Sequence, residues 1–262
     1  MKKCYYLWIT LFLFSSCASI EKNIVQGNLE KSRDGCKIQL KQLKNDTQNR
    51  VHVFIVIDVF RAFTTASYIL ERHPDTYMLA AKSSVIARLA KKFKHPLLIG
   101  KSEIGANLTY DIPNSPTRLQ EIVVTDRNVL HRTEAGAKGV LLAREADIIL
   151  VAGFVNAEAT ARYVKALLNP KVTILPMGHE GTQPSLEDNI CAKYIKALIK
   201  GKKIKLASFI PKLKKGPGKY FFSKDQWQYP YEDFNRCLEV DRFNFVIKAQ
   251  VIDDYAILTR FN

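Results

Sequence analysis

The stretch Val53-Phe54-Ile55-Val56-Ile57-Asp58-Val59-Phe60-Arg61-Ala62-Phe63-Thr64-Thr65 decides the fold. Its first five residues are a short apolar run rich in β-branched side chains, the pattern of a buried strand. The run closes on a carboxylate and a guanidinium, and two hydroxyls then open an amphipathic stretch that reads as a helix. A strand that delivers Asp58 and Arg61 to its carboxyl end suits a metal ion and a phosphate oxygen respectively.

Working outward, apolar runs alternate with amphipathic stretches. The predicted strands are 53–57, 77–80, 96–99, 128–131, 148–152 and 172–176, and the predicted helices are 62–72, 83–94, 135–146, 157–168 and 186–200. Such alternation specifies an α/β fold, a three-layer α/β/α sandwich around a largely parallel sheet. Asn156 and Ser185 are suited to cap the helices that follow them. Beyond Gly201, Pro211, Gly216, Pro217 and Gly218 punctuate a lysine-rich stretch that reads as a loop. Residues 245–259 read as two strands turning at Asp253-Asp254.

The 262 residues suffice for one large core. A formal charge of +15 would suit an anionic partner, but the lysines between 196 and 219 lack interleaved aromatics for base stacking, so no nucleic acid is expected. Residues 1–19 carry a basic start, a short apolar run and Leu13-Phe14-Ser15-Ser16-Cys17, which resembles a bacterial lipobox. That reading makes the protein an extracytoplasmic lipoprotein held to a membrane through a lipid on Cys17. The alternative is an uncleaved N-terminus on a cytoplasmic enzyme. Residues 20–50 read as a tether with a first short strand at 36–40, and 51–262 as the α/β domain. No Cys-x-x-Cys or Cys/His spacing occurs, which excludes an ordinary zinc site.

Ligands of parallel sheets bind outside the carboxyl ends of the strands. The loops at those ends carry Asp58 with Arg61, Lys101 with Glu103, Gly153 with Asn156, and Glu187 with Asp188. Hard carboxylate oxygens suit Mg2+. Phosphoryl transfer depends mainly on positioning and neutralising phosphate oxygens. On this reading Asp58, Glu187 and Asp188 hold the metal. Asp58, Arg61 and Glu103 are the catalytic candidates, and Thr64, Thr65, Lys101, Asn114 and Asn156 contact a small anionic phosphate ester. Other phosphatase types do not fit: Phe60 occupies the place of the haloacid-dehalogenase second aspartate, no cysteine has an arginine six residues on, and Arg72-His73 is followed by Pro74.

Motifs in order resemble those of 2-phosphosulfolactate phosphatases of the coenzyme M pathway type. They are residues 56–66, Asn114-Ser115-Pro116, Thr133-Glu134-Ala135-Gly136, Gly153-Phe154-Val155-Asn156-Ala157, Met177-Gly178 with Glu187-Asp188-Asn189-Ile190-Cys191-Ala192, and Val240-Asp241-Arg242-Phe243. The resemblance implies a three-layer α/β/α fold and Mg2+-dependent hydrolysis of a phosphate ester. The chain departs from the family pattern at 100–105 and at 134–137. A second reading keeps the fold and an anion pocket without turnover, as a lipid-anchored binding protein. A homo-oligomer fits either reading.

Overall fold

In the computed structural model, which describes residues 50–202 and 204–262, the quoted stretch is strand β1 (His52–Ile57) followed by helix α1 (Ala62–Glu71). The chain continues through β2 (Thr76–Ala80), α2 (Ser83–Ala90), β3 (Leu97–Ile99), β4 (Asn128–Arg132), α3 (Glu134–Leu142), β5 (Ile148–Ala152), α4 (Ala157–Ala166), β6 (Lys171–Pro176) and α5 (Leu186–Ile199). Short helices α6 (Ile210–Lys215) and α7 (Tyr231–Cys237) precede the closing hairpin of β7 (Val246–Ile252) and β8 (Tyr255–Phe261). The predicted targeting segment with Cys17, the predicted tether up to residue 49 and the predicted strand at 36–40 lie outside the described residues. Among the described residues, no helix is long and apolar enough to cross a membrane.

The eight-stranded sheet has the order β3-β4-β2-β8-β7-β5-β1-β6. Strands β3, β4 and β2 pair in parallel, as do β5, β1 and β6, and the β7–β8 hairpin joins the triads through antiparallel pairings. Three successive antiparallel pairings leave the triads running in opposite senses, so a flat sheet would put their carboxyl ends on opposite rims. Real sheets are not flat: five strand-to-strand steps separate β4 from β1, and at roughly 20–25° each the accumulated twist is about 100–125°. That rotation accounts for loops after β3 and β4 meeting loops after β1 and β6 at one cleft.

The side chains of β1 alternate between two cores, which is why the run carries no polar residue. Val53, Ile55 and Ile57 pack with Ile190 and Ile195 of α5 and Val164 of α4, whereas Val56 packs with Phe63, Ala66 and Ile69 of α1 and with Val140 of α3. Full burial of each such side chain contributes about 1.5–3 kcal/mol. A third cluster seats Val85, Ile86 and Leu89 of α2 on β2 and β4. Gly139 lets α3 press onto the sheet, since a Cβ there would lie 2.6 Å from Val56 Cγ1 and 2.2 Å from Met177 Sδ.

The predicted strands and helices form within a few residues of their expected bounds, and the closing hairpin turns at Asp253-Asp254. The lysine-rich stretch is the correction. It is not a loop but a series of short helical turns: 206–209, α6, 217–222 and then α7. Pro211 and Pro217 stand in the first turns of their elements, where a missing N–H costs nothing and the fixed φ favours the helix.

Candidate active site

Three carboxylates gather where the loops after β1 and β6 meet. Asp58 ends β1, and its Oδ1 accepts the Ala62 N–H at 3.2 Å. Asp188, in the first turn of α5, accepts the Val59 N–H on Oδ1 at 2.8 Å and the Gly178 N–H on Oδ2 at 2.7 Å, tying the two loops together. Glu187 stands beside it with Oε2 buried and without a hydrogen-bond partner. All three are buried. Burial first, then the Asp188 and Glu187 charges, push Asp58 up to about 8. Burial first, then Asp188, pushes Glu187 up to about 7, and burial pushes Asp188 up to about 6 against its two backbone donors. The α5 N-terminus favours negative charge by only about 0.3–1 kcal/mol, which does not offset like charges buried together. None of the three takes part in the ion pairs found among the described residues.

The same region also carries cationic groups. Arg61, buried at the start of α1, donates through Nη1 to Asp233 Oδ2 at 2.6 Å. Its guanidinium carbon lies 5.0 Å from the Tyr229 ring centre and 5.7 Å from that of Phe221. Arg61, Lys101, Asn114 and Glu187 line a cleft of about 640 Å³ together with Tyr229 and Phe221. One acidic group, Glu187, and the basic groups Arg61 and Lys101 therefore line a single cleft of substrate size.

The sequence matches the model of the 2-phosphosulpholactate phosphatase family over residues 38–251. The chain belongs to this family. It is similar to a probable 2-phosphosulfolactate phosphatase of Bacillus subtilis, 32% identical over 201 residues that cover 75% of this chain and 86% of the relative. A probable 2-phosphosulfolactate phosphatase of Thermus thermophilus is 33% identical over 148 residues, 55% of this chain and 61% of the relative. Membership makes the chain a phosphoric monoester hydrolase.

Not every candidate faces the cleft. Thr64 is fully buried and donates to Val59 O at 2.9 Å. Thr65 is fully buried with its hydroxyl unpartnered. Asn156 is also fully buried; its Oδ1 accepts the Gly153 N–H at 3.0 Å and its Nδ2 donates to Val151 O at 3.3 Å, which shapes the turn after β5. Glu103 accepts the Ser83 N–H at 2.5 Å and lies 3.3 Å from Arg132, so it caps α2. Asn114 does face the cleft, and its Oδ1 is buried without a partner.

Gly136, in the first turn of α3, is needed beside Asp58. A Cβ there would lie 3.1 Å from Asp58 Oδ2 and 3.1 Å from Phe63 Cζ. Asp233, Tyr229 and Phe221 do not stand out in the sequence, because the stretch between the lysine-rich segment and the closing strands offers no predicted element to place them on. Pro230 followed by Glu232 and Asp233 is a helix-start signal that would have found α7.

Proposed function

We propose that this chain hydrolyses a small anionic phosphate monoester with Mg2+, and that 2-phosphosulfolactate, the substrate in its relatives' names, is the ester. The observation that carries this reading is the buried acidic cluster, in which Glu187 Oε2 has no partner and each carboxylate is held above its ordinary range. A cation would remove that repulsion.

The donor set suits a hard divalent ion. Among the described residues, no group of three or more His, Cys, Asp or Glu side chains forms a ready metal cage. Mg2+ does not need one, because it keeps several waters and is bound through one or two carboxylates plus substrate phosphate oxygens. Glu187 and Asp58 would supply the carboxylates, with Asp188 fixing the loops that carry them. When bound, the ion supplies charge neutralisation at the phosphoryl oxygens. Arg61 holds the phosphoryl group through N–H groups not engaged by Asp233. Asn114 orients the ester, and Lys101 at the rim attracts its further negative charge. The ring faces of Tyr229 and Phe221 keep water from the guanidinium and strengthen its field.

Phosphate release from 2-phosphosulfolactate tests the reading. Release by the natural chain that requires Mg2+ and vanishes in Asp58→Asn supports it; equal release with and without Mg2+, or from both chains, overturns it. The relatives' names give no support to the non-catalytic binding protein. Attachment to a membrane through an acylated Cys17 is proposed on the N-terminal sequence alone, and fatty-acid labelling of the full chain, compared with Cys17→Ser, tests it.

A further inference from the structure

The Arg61 guanidinium is held by a layer of groups centred on Asp233, which no motif singles out. Asp233 is fully buried in α7, and every partner it has is a donor. Its Oδ2 accepts Arg61 Nη1 at 2.6 Å, and its Oδ1 accepts both the Ser115 hydroxyl at 3.0 Å and the Thr117 N–H at 2.9 Å. Ser115 in turn accepts the Arg118 N–H at 3.2 Å. The carboxylate thus joins three parts of the chain: the loop after β1, the 114–118 turn and the helical stretch before β7.

We propose that Asp233 is a positioning residue, which fixes the Arg61 guanidinium as an anion clamp and so sets the protein's affinity for a phosphoryl group. The inference rests on the reading of Arg61 as the group that holds phosphate. A surface ion pair would do little for this, because exposed pairs are weak and mobile. A fully buried carboxylate fixed by two other donors removes the freedom of the arginine it binds. The ring faces of Tyr229 and Phe221 restrict it further.

The donor-only surroundings make Asp233→Asn a sharp probe. An amide has one oxygen, and that oxygen goes to the side where Ser115 and Thr117 both donate. Its NH2 then meets Arg61 Nη1, donor against donor, and the guanidinium leaves its place. Simple loss of the negative charge would act in the other direction, since Asp233 partly neutralises Arg61. Asp233→Asn therefore separates placement from charge.

The test is calorimetric titration of the full chain with inorganic phosphate in the presence of Mg2+, which needs no turnover. The expected result for Asp233→Asn is a loss of about tenfold in phosphate affinity, of the size of a lost charge-assisted contact. In an Arg61→Ala background the same substitution should change affinity by less than about twofold, because nothing is left to position. Should Asp233→Asn fail to fold, Ser115→Ala removes one of the two donors that fix the carboxylate, and it should cost about two- to threefold with the same dependence on Arg61. Affinity that is unchanged or tighter in the substituted chain, or a loss equal with and without Arg61, overturns the inference. Failure of the functional reading is distinguishable: phosphate would bind and depend on Asp233 while 2-phosphosulfolactate went unhydrolysed.

Discussion

The acidic and basic walls of the site are built on opposite principles. On the acidic wall, Asp58, Glu187 and Asp188 are buried together and pair with no cationic side chain among the described residues, and Glu187 Oε2 has no hydrogen-bond partner there. On the basic wall, Arg61 is equally buried but fully provided for, by a 2.6 Å ion pair and two aromatic faces. Buried like charges destabilise a fold, and removing one partner of a buried ion pair leaves an uncompensated charge that destabilises it strongly. The acidic wall is therefore strained by its own charges, whereas the basic wall is held in place by the protein's own groups.

Substitutions on the two walls should consequently move activity together and stability apart. The largest effect is expected for Asp58→Asn, with phosphate release falling about 1,000-fold or more if several kcal/mol of charge stabilisation go. The same variant, free of metal, should melt higher than the natural chain at pH 8. The sign follows from the folded-state value near 8 against 3.8 ordinarily: the folded chain holds this proton more tightly, so the carboxylate reduces stability as pH rises from about 4 through 8. Arg61→Ala should lower kcat/KM by about 100- to 1,000-fold. It should also destabilise by about 3–5 kcal/mol, because Asp233 is left buried and uncompensated. Equal stability changes in the two variants, read by thermal melting, would break the comparison.

Smaller effects sharpen it. Gly136→Ala places a methyl 3.1 Å from Asp58 Oδ2, and an overpacking strain of about 1–3 kcal/mol beside the carboxylate should cost about tenfold in turnover. Asn156→Ala leaves the Gly153 N–H and Val151 C=O without their side-chain partner. It should reduce stability by about 1–3 kcal/mol while activity per folded molecule stays near the natural value. The smallest change is expected for Glu103→Gln, a helix-capping loss of about 1 kcal/mol or less with activity retained.

Much of this was legible in the chain itself. The β1 run announces a strand buried on both faces, and its end places Asp58 and Arg61 at the cleft. Glu187 and Asp188 at the start of α5 were found in the same way. The opposed triads were not legible, because strand direction across the sheet is set by the β7–β8 hairpin inserting between β2 and β5, a pairing with no local signal. Nor was the side of a helix or turn on which a polar group ends: Thr64 and Asn156 carry suitable chemistry but spend it on nearby backbone groups, as threonine and asparagine commonly do. Asp233 was hidden for another reason, since its partner Arg61 lies 172 residues away in sequence.

The most direct test of the central claim is the rise in melting temperature that Mg2+ gives the full chain, measured at pH 8 and again at pH 5.5. Protons and metal compete for the same raised carboxylates. The expected result is a rise of about 5 °C or more at pH 8, shrinking toward zero at pH 5.5 and absent in Asp58→Asn. An equal rise at both pH values, or none at pH 8, would contradict the assignment of Asp58 and Glu187 to a metal ion on loops fixed by Asp188.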